Sequence, residues 1–301
     1  MRVLITGATH GMGLGVARDL ARRPDVEVVV LGRSEARCQQ VCAELAALGS
    51  SDRVSYVRCD LARLTEVRAA IGDLRARGGG LDAVFINAGL GYAPERRETE
   101  DGYLEHFQVN YLAQFMLLLH LLELLEASPH GGRVVFNVTE VGELDLDDLQ
   151  MRQGWTFEKA IGAAMVAKHM FGARLHQLYE ARSGPAVSAI GFQIPKTVWT
   201  NQLAIIPWHM RAMATVAKWF GSFITIDQCG EMIAPLLIEG ADESRARSGH
   251  FLTFEAGSYR DVGKNPASSD PEDWRRLWDL SLDLCADDAT RACAARLEAG
   301  G

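Results

Sequence analysis

Three features of this 301-residue chain have the residue types and spacing to do chemistry. The first is Thr6-Gly7-Ala8-Thr9-His10-Gly11-Met12-Gly13, which follows the apolar run Val3-Leu4-Ile5 and precedes a helical pattern. Glycine lacks a Cβ, so the backbone turns tightly and lets a diphosphate approach. The helix that follows offers free N–H groups and the positive end of its dipole. The second is Arg33, in Gly32-Arg33-Ser34, at the end of the next apolar run, 26–31. An acid at that place holds a ribose 2′-hydroxyl, whereas a guanidinium suits a 2′-phosphate by charge and forked geometry. Arg33 therefore favours NADP(H); Glu35, two residues on, keeps NAD(H) possible. The third is Glu140, just past the apolar run 133–138. Strand ends in open α/β sheets face the ligand crevice, so Glu140 is either a rim carboxylate or an acid/base group.

A scaffold must hold these groups. Short apolar runs at 54–59, 81–86, 133–138, 186–192 and 250–254 read as further strands. Helical spacing predicts helices over about 13–23, 34–48, 64–77, 100–127, 157–182 and 227–239. Strand and helix alternate and the strands are apolar throughout, which argues a parallel sheet buried on both faces. The expected fold is a Rossmann-type, doubly wound parallel sheet of about seven strands with helices on both faces. One domain should span 1–285, with 257–273 as a loop before the last helix and 286–301 as a tail prone to fray.

With these motifs in place, the chain resembles a short-chain dehydrogenase/reductase, nearest the retinol-dehydrogenase-like branch. Thr6 to Gly13 fits T-G-x-x-x-G-x-G, Asp60-Leu61 fits the adenine-contacting pair, and Asn87-Ala88-Gly89 fits N-N-A-G with one change before it. Asn110 fits the asparagine of the catalytic tetrad. Residues 147–150 and 276–281 are similar to segments of that branch. The resemblance implies Ser, Tyr and Lys as partners: tyrosine moves the carbinol proton, lysine lowers its pKa and holds the ribose, and serine polarises the substrate oxygen. Here Lys168 stands in the lysine register, but Ala164 fills the tyrosine slot. The serine slot falls on Glu140, or on Thr139 if the register slips by one. The loop expected behind the nicotinamide reads Pro195-Lys196-Thr197-Val198-Trp199-Thr200, with lysine for glycine. Pro195, Val198 and Thr200 are thus expected at the cofactor, and Lys168 at its ribose.

Composition narrows the rest. With 31 basic and 39 acidic residues and a net charge of -8, and no basic cluster, nucleic acid is not an expected partner. No signal peptide and no membrane span is read, since the leucine run 117–125 is short and broken by His120 and Glu123. The six cysteines lack metal spacing. These readings predict a cytoplasmic protein. The apolar helices within 104–127 and 157–182 resemble those that pair subunits in the family, which implies a homodimer or homotetramer. Aromatic and methionine side chains crowd 199–225, either as a substrate lid for a hydrophobic small molecule or as a subunit contact. Three functions remain open: a carbonyl/alcohol oxidoreductase with a substitute proton donor, a redox-silent cyclase, isomerase or dehydratase using Glu140, and an inactive NADP(H)-binding protein.

Overall fold

The structure is a computed structural model, and it describes residues 1–139, 142–182, 186–198, 223–263 and 268–300. The apolar runs form strands because both of their faces are covered. β1 (Arg2–Thr6), β2 (Glu27–Gly32), β4 (Ala83–Ile86), β5 (Arg133–Val138) and β6 (Ser188–Gln193) are almost wholly buried. With β3 (Val54–Arg58), β9 (Phe251–Glu255) and β10 (Ser258–Asp261) they make an eight-stranded sheet in the order β10-β9-β6-β5-β4-β1-β2-β3. All pairings are parallel except β9 with β10. The chain winds outward from β1 to β3, then crosses back to place β4 on the other side of β1. The ligand crevice of such a sheet lies at that switch, beyond the strand ends.

Helices cover both faces. They are α1 (Gly11–Ala21), α2 (Glu35–Ala46), α3 (Leu64–Ala76), α4 (Glu105–Phe107), α5 (Ala113–Glu126), α6 (Phe157–Glu180), α7 (Ile226–Ile238), α8 (Ala241–Arg247), α9 (Pro271–Cys285) and α10 (Asp288–Ala299). Polar caps start several of them: Ser34, Thr156, Asp270 and Asp287 each accept from a backbone N–H of the first turn, and Thr225 with Gln228 closes a capping box on α7. α4 runs into α5 through a π-helical turn at Gln108–Leu112. The combined helix Glu105–Glu126 is long and apolar enough to cross a membrane, yet its most apolar window is 89% buried inside the fold, as suits a core helix. Two-residue strands β7 (Thr197–Val198) and β8 (Phe223–Ile224) pair in parallel apart from the main sheet.

Three sequence expectations are corrected. The segment expected as a loop from 257 contains β10, which a turn at Ala256-Gly257, both at positive φ, folds back on β9. That turn lacks the Asn-Gly or Asp-Gly signal of a two-residue hairpin. The expected tail holds helix α10, whose Ala294 and Leu297 are buried and whose Thr290 hydroxyl lies 2.9 Å from His120 Nε2. Finally, the apolar faces of α5 and α6 are covered within one chain. Trp278 of α9 packs edge-on against Phe115 of α5, with ring centroids 5.4 Å apart, and α10 lies over α5. These faces are not open for the subunit pairing expected of them.

Candidate functional site

The glycine turn closes tightly on the loop after β4. Gly7 has φ of 69°, and a Cβ on it would come within 2.8 Å of the Ala88 backbone. A Cβ on Gly13 would lie 2.6 Å from both the Asn87 amide and the Gly7 carbonyl oxygen. Thr6 Oγ1 accepts from the N–H groups of Asn87 and Ala88 at 2.8 and 3.0 Å, and the Asn87 amide donates to Thr6 O at 3.0 Å. Gln114 on α5 donates to Ala88 O at 2.9 Å. Asn87 and Ala88 thus fasten β4 to β1 beneath the turn, while Gly89 lies exposed above it. Helix α1 starts at Gly11 with no side-chain cap from His10 and no acid in its first turn. Its leading N–H groups, at Gly11, Met12 and Gly13, stay available for an anion. This cradle fits a dinucleotide diphosphate.

Just past β3, Asp60 Oδ1 accepts from Ala62 N at 3.0 Å and shapes the turn, and the Leu61 carbonyl accepts from the Gln108 side chain at 3.3 Å. Thr9 Oγ1 lies 3.0 Å from His10 Nδ1, and Arg37 Nε donates to Thr9 O at 3.3 Å. Burial, then the charges of Arg37 and Arg33, holds the His10 pKa below its ordinary value, so both guanidinium groups bear on the turn. Arg37 was not singled out from the sequence; its signal is the i,i+4 spacing from Arg33.

The far end of the crevice holds Lys168. Small residues Gly162, Ala163, Ala164 and Ala167 let α6 lie close to its neighbours, and a Cβ on Gly142 would sit 2.4 Å from Gly162 O. Lys168 is 1% exposed. Its Nζ lies 3.5 Å from the Asn137 carbonyl near the end of β5, and burial alone brings its pKa down to about 7. Ala164, one turn earlier, is fully buried. Asn110 sits in the π turn and spends its amide on one residue: Oδ1 accepts from Leu90 N at 2.6 Å, and Nδ2 donates to Leu90 O at 3.4 Å. It fixes the loop after Gly89. The Thr139 carbonyl lies 3.1 Å from His169 Nε2, whose ring stacks on Phe251 at 4.1 Å. Burial pushes the His169 pKa down to about 4.

Two further residues enter that the sequence did not single out. His106, one turn before Asn110, is buried with Nε2 3.0 Å from Gly91 O. Tyr92 packs edge-on against Phe157 at the start of α6, 5.2 Å between centroids. Pro195 and Val198 flank the exposed Lys196 at the β6–β7 connection. Glu140, Thr200 and most of the expected lid, 199–222, lie outside the described residues. Among the described residues no cluster of metal-ligating side chains occurs, and all six cysteines are free thiols.

Residues 1–147 match the family model of the short-chain dehydrogenases. A polyprenol dehydrogenase of Mus musculus is 34% identical over 93% of this chain and 82% of its own length. The chain belongs to the short-chain dehydrogenase family. Retinol dehydrogenase 14 of Homo sapiens is 27% identical over 93% of the chain and 84% of its own length. The fold matches that of L-sorbose reductase from Gluconobacter frateurii, solved with NADPH and L-sorbose, at a TM-score of 0.65, 18% identity and coverage of 85% and 95%. An actinorhodin polyketide ketoreductase solved with NADPH matches at a TM-score of 0.64 and 18% identity, covering 89% of this chain and 97% of that one. This short-chain dehydrogenase is thus an oxidoreductase, and its family chemistry rests on a nicotinamide dinucleotide. One expectation falls. The relatives are named for polyprenol and retinol, alcohols that dissolve in lipid rather than water, so the cytoplasmic location read from the sequence is withdrawn.

Proposed function

We propose that the protein is an NADP(H)-dependent oxidoreductase that interconverts a lipid alcohol and its carbonyl form. The observation that carries the reading is the joining of an open phosphate cradle at Gly7–Gly13 to a buried amine at Lys168, in a chain 34% identical to a polyprenol dehydrogenase. The cofactor supplies or accepts a hydride. The chain holds its diphosphate at the α1 N-terminus and its adenosine beside Asp60 and Leu61. Asn87 and Ala88 lie beneath the cradle and Gly89 above it, with Pro195, Val198 and Thr200 assigned to the nicotinamide side.

The phosphate preference rests on Arg33, which is exposed and makes no ion pair with any described residue. Glu35, the acid that kept NAD(H) open, instead accepts from Tyr56 Oη at 3.1 Å and from Gln39 at 3.5 Å. Calorimetry on the wild type and Arg33→Ala tests this. NADP⁺ should bind the wild type more tightly than NAD⁺, and the substitution should remove the difference. Equal affinities unchanged by the substitution would refute the preference.

For the substrate, polyprenol- and retinol-like alcohols with NADP⁺, and the matching carbonyls with NADPH, are to be followed both by product and by nicotinamide absorbance. Product formed with a matching absorbance change supports the reading. The fully buried Ala164, with no hydroxyl to offer, favours a second reading in which the pocket does redox-silent acid/base chemistry through Glu140. Substrate consumed with no absorbance change, and lost in Glu140→Gln, would establish that reading instead.

A further inference from the structure

We propose that Lys168 itself is the proton-transfer group of this enzyme, its Nζ giving the proton to the carbonyl oxygen in reduction and taking it back in oxidation. The proposal rests on the oxidoreductase reading above and names the group that reading lacks.

Elimination comes first. The sequence contains six tyrosines, and all lie among the described residues. Five have their hydroxyls committed elsewhere: Tyr56 to Glu35, Tyr103 to Leu284 O, Tyr111 to Ser281, Tyr179 to Glu126 and Tyr259 to Met232 O. Tyr92 alone is uncommitted, and it meets α6 at Phe157, seven residues before Ala164. At 1.5 Å per residue that is ~10 Å along the helix, beyond the ~6 Å reach of a phenol from its own Cα. Lys168 is one turn past Ala164, ~6 Å in rise, on the same helix face.

Position comes next. Lys168 Nζ lies over Asn137, one residue from the end of β5. β5 is two strands from β1, so the amine stands ~10 Å across the sheet from the glycine turn. That gap suits a nicotinamide riboside laid across the strand ends. The amine is wholly buried; among the described residues its one partner is a carbonyl at 3.5 Å and no carboxylate pairs with it. The titratable groups on the described parts of the surrounding elements are few. His106 and Tyr111 come from the α4–α5 helix and His169 from α6 itself. β6 carries no titratable side chain, and Arg133 stands at the far end of β5. The nearer charges of α9 and α10 lie outside or pair away, with Arg276 to Asp147 and Arg296 to Glu126. Burial alone sets its proton affinity, which places the amine's pKa at about 7, where it both gives and takes a proton.

The step balances. In reduction the hydride of a reduced nicotinamide brings an electron pair and forms the new C–H bond. The π pair of the C=O moves to oxygen. The oxygen takes a proton from the Lys168 ammonium, directly or through one water, breaking an N–H bond and leaving a neutral amine that solvent reprotonates. Oxidation reverses each transfer.

The test compares wild type, Lys168→Met, Lys168→Arg and Tyr92→Phe at saturating cofactor, with NADP⁺ affinity measured separately by calorimetry. We expect Lys168→Met to lose at least ~100-fold in kcat. Lys168→Arg should keep cofactor affinity and lose the same rate, because a guanidinium does not release its proton. Wild-type oxidation should rise through one ionisation near pH 7, and Tyr92→Phe should leave rate and profile unchanged. NMR of nitrogen-labelled lysine should show one side chain, absent in Lys168→Met, titrating near that pH. Wild-type kcat in Lys168→Arg, a rate lost in Tyr92→Phe, or Lys168 titrating like a solvent-exposed lysine would each overturn the proposal. Substrate consumed by the wild type without any nicotinamide change would instead sink the oxidoreductase reading, and the role of Lys168 with it.

Discussion

Burying Lys168 costs the fold stability. The unfolded chain has a lysine with an ordinary pKa of 10.5, while the folded one sits at about 7. Between those values the unfolded state binds a proton that the folded state does not, so stability rises with pH across that window and is lowest below pH 7. Lys168→Met should therefore stabilise the protein by a few kcal/mol at neutral pH, at ~1.4 kcal/mol per unit, and by nothing above pH 10.5. Chemical denaturation of both proteins across that range measures it, and a constant difference would contradict the burial argument. His169 has the same sign lower down: its pKa near 4 against an ordinary 6.5 predicts stability lost as pH falls from 6.5 toward 4. That loss should vanish in His169→Phe. At this scale the sequence speaks unevenly. The glycine turn can be found from the chain alone because a close backbone approach admits nothing but glycine. Tyr92, His106 and His169 gain their meaning from neighbours 15 to 82 residues away in the chain, such as Phe157 for Tyr92 and Phe251 for His169, and no local pattern marks that.

Among the elements, the crossing of α1 and α7 decides how the phosphate cradle is aimed. A Cβ on Gly15 would lie 1.7 Å from Ile226 O, and one on Gly230 would lie 2.4 Å from Gly15 O. The two helices touch backbone to backbone through paired glycines. Gly15→Ala has no side chain to push aside, so α1 must move. We expect a loss of ~1–3 kcal/mol in stability, as for overpacked sites, together with weaker NADP⁺ binding by calorimetry. Unchanged affinity would mean that the cradle is not set by this crossing. The parallel strands were readable because burial on both faces makes them apolar without a break. β10 was not, since an edge strand exposing Arg260 and Asp261 carries no such run. α10 was hidden for a related reason. Its alanine-rich sequence has few large apolar residues, and what holds it is tertiary: the His120–Thr290 contact and the pairing of Arg296 with Glu126.

Across the whole molecule, the C-terminal helices cover α5 and α6, so that among the described residues Leu48 is the one large hydrophobic left exposed. A chain stopped after Ala286 would bare the side of α5 that meets α10. We expect it to self-associate at micromolar concentration by light scattering, while the full chain does not associate through these faces. A truncated chain that stays monomeric and folded would show that α10 is dispensable cover.

The small β7–β8 pair has a further consequence. Thr197 pairs with Phe223 and Val198 with Ile224, so the two ends of the intervening stretch, 199–222, are tied to each other and not to a distant part of the sheet. A stretch held by such a clasp is a cassette. Lengthening or shortening it costs the fold only a loop-closure entropy that changes by ~0.6 kcal/mol per doubling of length. Its length can therefore change while the glycine turn, Lys168 and the sheet stay as they are. Exchanging 199–222 between relatives is then the exchange of a closed segment, one that should leave the main sheet intact.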